Sequence, residues 1–366
     1  MKILQVHNTY QINGGEDRVV KNEYELLARN GVEVQQFIVS NEAIDGIIKK
    51  TLVALVSAFS LTYWRKISRI LKSFKPDVVH VHNYFPLISP SVFYLCKKHN
   101  IPVVHTLHNF RAICPTSMLM WNGKVQEASL SGTSWWAVKH GVYRGSKIGT
   151  FFLCSLIELH KKIGTWVDVG VRYIGLTEFS KAKYVEAGWP SDKIFVKPNF
   201  NHAGVTPSHF SPGSPRYAIF LGRLSEEKGI SQLLDVWDKV NFPLKVVGDG
   251  PLRYELQEIS RNNVQFYGEV GEKEVQSLLG GADFIVVPST WYEGFPMVLV
   301  EAFAYGTPAI VSDIGSLGEI IEDGVTGLKF NVSDSDDLYQ KISWMIRHPS
   351  KVDIMSENAR SEYLQK

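Results

Sequence analysis

Two glutamates, Glu293 and Glu301, bracket the stretch GFPMVLV, and Glu301 is the only charged residue between Gly294 and Ser312. A buried carboxylate without a partner is costly, so Glu301 needs donors. The 2′,3′-hydroxyl pair of a ribose would supply two; an Arg or Lys from elsewhere in the chain would serve as well. Pro296 suits the first position of a helix and Gly306 its end. The amides around Gly294, Phe295 and Met297 then lie at a helix N-terminus, which favours hydroxyl oxygens and anions.

Three more groups could carry chemistry. In GRLSEEKG, residues 222–229, Arg223 and Lys228 follow the apolar run YAIFL and stand at a strand's carboxyl end. Two cations there suit a diphosphate that gains charge as its bond to carbon breaks, although each alone is ordinary in such a place. In NGGED, Gly14 and Gly15 let backbone approach a ligand closely and Glu16 opens the next helix; a plain tight turn explains the stretch equally well, and it is not GxGxxG. In HTLHNFR, His108 and Asn109 end a strand with Arg111 close behind, while DVVHVHN places His80 and His82 at the end of another. Cys96, Cys114 and Cys154 are far apart, and no Cys or His cluster has metal-ligand spacing, so free thiols and no metal are expected.

These residues need a scaffold that gathers strand ends. Short apolar runs alternate with amphipathic stretches, the pattern of parallel sheets covered by helices. KILQVH, VEVQQFIV, DVVHVH, PVVHTLH and RYIGLT read as strands of the first half, with helices over 16–29, 47–73, 89–99 and 178–187. YAIFLGR, LKVVGDG, VQFYGEV, DFIVVPS and PAIVSD read as strands of the second. Between the sets, PNFNHAGVTPSHFSPGSPRY holds four prolines, two glycines and no helical periodicity. It predicts a linker over 199–214, joining domains at 1–198 and 215–366. The fold class is α/β, two Rossmann-like doubly wound domains, and ligands of such sheets bind beyond the strands' carboxyl ends. Two such domains face to face would enclose a deep cleft.

The motifs together resemble glycosyltransferase family 4, the retaining, nucleotide-sugar-dependent group 1 enzymes of the GT-B fold. The resemblance rests on GGE after the first strand, the strand-end His, GR…EKG, VVGDGP, Glu293-x7-Glu301, and GTPAIVSDIGSLGEIIEDGVTGLKF, in family order over nearly the whole chain. It implies that Glu301 holds the ribose, and that Glu293 with the backbone of Gly294, Phe295, Pro296 and Met297 surrounds the donor sugar and distal phosphate. It implies a diphosphate clamp of Arg223 and Lys228, approached from the other domain by Gly14, Gly15 and Glu16, with His108 beside the anomeric carbon. The implied chemistry needs no protein nucleophile, metal or cofactor, only a UDP- or GDP-linked sugar as co-substrate. Asn109 departs from the Asp that many relatives carry, which puts a carboxylate role there in doubt. A sugar-nucleotide epimerase on the same fold and a catalytically inactive binding subunit are the alternatives.

Charge is uneven along the chain. Residues 1–200 hold 25 Lys and Arg against 14 Asp and Glu, a net of +11; the rest hold 14 against 23, a net of −9. The basic half should meet something anionic. Residues 47–75 place Lys49, Lys50, Arg65, Lys66, Arg69, Lys72 and Lys75 around an apolar middle, and 135–162 repeats that character. Both could be core-facing helices with a basic solvent side. Docking on an anionic inner leaflet is the other reading, and it predicts a cytoplasmic, peripherally membrane-associated enzyme with a glycan acceptor, possibly linked to polyprenyl diphosphate, in cell-surface polysaccharide, O-antigen or capsule assembly. No apolar run reaches the length of a membrane span, and no nucleic-acid-binding motif accompanies the charge.

Overall fold

The computed structural model describes residues 1–9, 14–41, 53, 57–201, 216–259 and 261–365. Of the expected linker over 199–214, residues 202–214 lie outside them, as do Asn13, Lys49 and Lys50. The chain divides into two compact units, Met1–Asn199 and Phe200–Lys366.

The first unit is built on a six-stranded sheet: β1 (Lys2–Thr9), β2 (Glu33–Ser40), β3 (Val78–Val81), β4 (Val103–Leu107), β7 (Val171–Gly175) and β8 (Ile194–Val196). A small hairpin of β5 (Met120–Trp121) and β6 (Lys124–Val125) stands apart. The sheet is wholly parallel, in the order β2-β1-β3-β4-β7-β8. Central β1 is buried over Ile3–Asn8, whereas edge strand β2 alternates exposed and half-buried positions, as expected of strands covered on both faces and at the rim. The order reverses between β1 and β3, and that is where doubly wound sheets bind ligands.

The second unit has β9 (Ala218–Leu221), β10 (Leu244–Val247), β11 (Val264–Gly268), β12 (Phe284–Val287), β13 (Ala309–Ser312) and β14 (Gly327–Phe330). These are also parallel, in the order β11-β10-β9-β12-β13-β14. Alternate residues feed opposite faces: Phe220, Val246 and Phe284 pack with Trp237 and Ile342, while Ile219, Val247 and Ile285 pack with Leu299 and Phe303. Its reversal lies between β9 and β12.

Three local expectations are corrected. A single helix over 47–73 is not what forms: the helix there is Leu61–Phe74, and Ser57–Ser60 before it are non-helical. That break is held from outside, since Ser60 N donates to Ser89 Oγ at 2.9 Å and His160 Nε2 meets the Ala58 carbonyl at 3.0 Å. Pro296 is the extended N-cap of helix Met297–Ala304 rather than its first residue. Finally, β8 and β14 complete the two sheets without having been expected.

Candidate functional site

The second unit's reversal point is formed by the loops after β9 and β12. Gly229 has φ +68°, and a Cβ there would lie 2.0 Å from the Pro288 carbonyl oxygen, so only glycine allows the loops to meet. Thr290 N donates to Glu227 O at 2.9 Å across the same seam. The GDG of β10 props the first loop from beneath: Leu224 N donates to Asp249 O at 2.9 Å, and a Cβ on Gly250 would lie 2.3 Å from Leu224 O.

This scaffold brings Lys228 and Glu293 together, with Nζ 2.5 Å from Oε1. The same oxygen accepts from Ser289 Oγ at 2.8 Å and Trp291 Nε1 at 3.0 Å, and the Trp291 ring lies 5.1 Å from the ammonium. Glu293 is buried and Lys228 partly exposed, so the pair is a charged group at the edge of a shielded wall. Arg223 is exposed at the end of β9, and its side chain makes no hydrogen bond or ion pair with the described residues. Gly294, Phe295 and Pro296 lead directly into helix Met297–Ala304, where Glu301 is 7% exposed. The expected carboxylate is therefore on a buried helix face, in the helix that begins four residues after Glu293. Ser289 and Trp291 were not anticipated; their alternation with Glu293 at 289, 291 and 293 was the available signal.

At the first unit's reversal point the side chains are of another kind. The registers Gln5↔His80 and His80↔Val104 put Gln5, His7, His80, His82, Thr106 and His108 on one sheet face. Helix Gly15–Arg29 covers that face and turns Glu23 onto it with Val19 and Val20. Glu23 Oε2 lies 3.3 Å from His80 Nδ1 and 3.2 Å from His82 Nε2, and Lys197 Nζ reaches Oε1 at 2.9 Å. His82 Nδ1 meets His108 Nε2 at 3.0 Å with the rings stacked. Burial would raise the Glu23 carboxyl, but the His82 hydrogen bond and the neighbouring charges hold it well below its ordinary range. Burial lowers all of His80, His82 and His108, His80 to about 3, which favours the neutral form of each ring.

Gly14 is the N-cap of helix Gly15–Arg29, and a Cβ there would meet nothing within 4 Å. Its freedom is thus not required by protein packing. Gly14 N donates to Asp17 Oδ2 at 2.8 Å, and the other Asp17 oxygen meets His7 Nε2 at 2.8 Å, with Glu16 Oε1 3.8 Å from His7 Nδ1. Arg111 is occupied by the Pro115 carbonyl, Ser117 Oγ and the faces of Phe85 and Tyr143, which makes it a support of its loop. Sequence reasoning passed over Glu23 and Lys197, although a Glu on the buried stripe of an amphipathic helix is the same signal that marked Glu301.

Glu23, His80 and His82 bring one ligand atom each within 4.8 Å of one another, the one such group among the described residues and one that sequence spacing did not reveal. Lys197 already supplies the positive charge that Glu23 requires, and a divalent ion would add a second, buried excess. The donor set therefore fits a lysine-compensated carboxylate better than a metal. The three cysteines are free and buried.

Comparison with known proteins assigns the class of enzyme. Residues 206–362 match Glycosyl transferases group 1, and residues 13–148 match Glycosyltransferase Family 4. The chain is a glycosyltransferase. An uncharacterised glycosyltransferase of Methanocaldococcus jannaschii is 33% identical over 155 residues, which cover 41% of this chain and 44% of that protein. An uncharacterised 41.2 kDa protein in the cps region of Klebsiella pneumoniae is 26% identical over 92% of this chain and 88% of its own length. Among solved structures, Anabaena HepE in complex with UDP superposes with a TM-score of 0.65 at 18% identity, covering 100% of this chain and 95% of that one. The glycosyltransferase thus has the GT-B fold, two Rossmann-like domains each carrying a six-stranded parallel sheet.

Proposed function

We propose that this glycosyltransferase moves a sugar, with retention of configuration and without a metal, from a UDP- or GDP-linked donor to a glycan acceptor. The observation that carries the donor site is the Lys228–Glu293 pair at the reversal point of the second sheet, beside the N-terminus of the helix that bears Glu301. Glu301 would accept the two ribose hydroxyls, and the helix N-terminus with Lys228 and Arg223 would hold the diphosphate. The charge these cations neutralise grows as the bond from anomeric carbon to phosphate oxygen breaks, which is where preorganised cations accelerate reaction most. The departing phosphate oxygen would take the proton of the acceptor hydroxyl that attacks the same face. HepE, of the same fold, is solved with UDP, in keeping with a nucleotide donor.

The acceptor reading rests on the first unit. Helix Lys147–Lys162 leaves Ile148, Phe151 and Leu159 exposed, the Trp135 ring lies tilted against Phe151 with centroids 5.6 Å apart, and Lys147, Lys161 and Lys162 flank them. Exposed aromatic and aliphatic groups with basic neighbours suit the inner leaflet and a polyprenyl-diphosphate-linked acceptor in cell-surface polysaccharide assembly. Among the described residues no helix is long and apolar enough to cross a membrane. The cps-region relative supports the polysaccharide setting.

The test is thermal shift of the purified chain with UDP, GDP, ADP and their sugars, followed by assay of the stabilising donor for slow hydrolysis. Stabilisation by one nucleotide and release of its diphosphate are expected. No stabilisation by any nucleoside diphosphate would overturn the donor assignment.

A further inference from the structure

One oxygen of Glu293 has more donors than it can use. Lys228 Nζ at 2.5 Å, Ser289 Oγ at 2.8 Å and Trp291 Nε1 at 3.0 Å all meet Oε1. An ionised carboxylate offers about two lone-pair sites on each oxygen, so three donors share two places. One of the three is surplus, and the fold says which. Ser289 is 1% exposed and lies with Trp291 in the loop that carries Glu293 itself. That loop is clamped by the Gly229 contact with the Pro288 carbonyl and by Thr290 N donating to Glu227 O. Lys228 instead reaches the oxygen on a long side chain that is 24% exposed, and its ammonium carries three donors that a single oxygen cannot all engage.

Trp291 touches both partners. Its N–H meets the carboxylate while its ring lies 5.1 Å from the ammonium, within the range of a cation–π attraction. The ring therefore holds the cation near without drawing on the carboxylate. A bare ion pair would behave otherwise: when one member is drawn off, the other is left buried and uncompensated, which is strongly unfavourable. Glu293, itself buried, would then resist any ligand that claims Lys228. With Ser289 and Trp291 in place, the oxygen keeps two donors after the ammonium has turned away.

We propose that Ser289 and Trp291 make the Lys228 ammonium transferable. The pair with Glu293 is the resting arrangement, and a nucleoside diphosphate draws Lys228 onto its phosphate oxygens while the hydroxyl and the indole retain the carboxylate. Ser289 and Trp291 are then positioning residues, acting on the ligand through Glu293 and Lys228. The transfer rests on the proposed role of Lys228 at the diphosphate. The saturation of Glu293 Oε1 does not.

Calorimetric titration of the full chain with UDP and GDP, beside NMR titration with uridine and guanosine, separates this transfer from general damage. Trp291→Phe keeps a ring and removes the N–H, and Ser289→Ala removes the hydroxyl. Each is expected to weaken diphosphate binding roughly tenfold, the loss of one hydrogen bond to a charged group. Nucleoside affinity should stay unchanged, because a nucleoside makes no claim on Lys228. In a Glu293→Gln background, where no charge is left behind, the effect of Trp291→Phe should vanish. Equal losses for nucleoside and diphosphate, or wild-type diphosphate affinity in either variant, would overturn the proposal. Lys228→Ala tests the reading beneath it. If that variant binds the diphosphate as tightly as wild type, Lys228 is not at the diphosphate and the transfer falls with that role; wild-type protein that bound neither diphosphate would remove both. A loss in Lys228→Ala with none in Trp291→Phe and Ser289→Ala would overturn the transfer alone.

Discussion

The two reversal points use one backbone device for opposite electrostatics. In the second unit, the loops after β9 and β12 present full charges near solvent: a guanidinium with no partner among the described residues, an ammonium and its glutamate. In the first, the ends of β1, β3 and β4 present neutral rings under a helix, with one buried carboxylate answered by Lys197 from beyond β8. Burial makes the difference. Lys228 is partly open and can be shared with an incoming anion, whereas burial pushes His80 and His82 toward their neutral forms. A site for a diphosphate needs the first arrangement, and a site for hydroxyl groups the second.

The strongest way to break this contrast is to remove the charges. Arg223→Ala and Lys228→Ala should each lower turnover roughly 100- to 1000-fold, more than they weaken donor binding. Steady-state kinetics with the donor identified by thermal shift decides it, and near-wild-type turnover would reduce either residue to a surface charge. Lys228→Ala also leaves Glu293 buried with only Ser289 and Trp291, so its melting temperature should be recorded beside the rates.

Acid should break the other side. His80 and His105 are held neutral by burial, at about 3 and about 4, against an ordinary value of 6.5. Below pH 6.5 the unfolded chain takes up protons that the folded chain refuses, so stability falls with pH; the depressed Glu23 carboxyl adds to the loss below about 4.5. Between pH 7 and 5 the first unit should lose roughly 2–4 kcal/mol. Denaturant titrations followed by hydrogen exchange in β1 and β9 would separate the units, and equal loss in both would show that neutral burial is not what distinguishes them.

Glu301→Gln sharpens the donor half. Losing an ionised hydrogen-bond acceptor should weaken nucleoside diphosphate binding by roughly 1.5–3 kcal/mol in calorimetry, with folding intact. An unchanged dissociation constant would leave Glu301 as a structural carboxylate.

Smaller still are the surface effects. Each basic residue at an anionic membrane contributes about 1 kcal/mol, screened over about 8 Å in physiological salt. Phe151→Ser with Lys161→Gln and Lys162→Gln should reduce sedimentation with anionic vesicles and spare donor hydrolysis. Sedimentation equal to wild type would make that face merely solvated. Chelation should do nothing: activity is expected to survive EDTA, and a loss restored by Mg2+ or Mn2+ would return the Glu23, His80 and His82 group to consideration as ligands.

Much of the scaffold was written in local patterns. The strand cores of β1, β3, β4, β9, β10, β12 and β13 coincide with apolar runs, because strands buried on both faces leave that mark. β8 did not, since three residues between Pro190 and Pro198 gain their strand geometry from pairing with β7. The break at Ser57–Ser60 depends on Ser89 and His160, far away in sequence. The candidate site divides the same way. Glu301, Lys228 and Glu293 stood in recognisable spacings. Glu23 became visible only when the strand order laid His80 and His82 beneath its helix.

The contact at Gly229 has a mechanical side. With its α-carbon pressed against the Pro288 carbonyl and Thr290 tied to Glu227, the loops at 222–229 and 288–296 have no room to slide past each other. Whatever motion accompanies donor capture must carry both as a single rigid jaw. Lengthening either loop alone would unseat Lys228 from Glu293, so variation among such enzymes in this corner has to come as matched changes in two separate stretches of the gene.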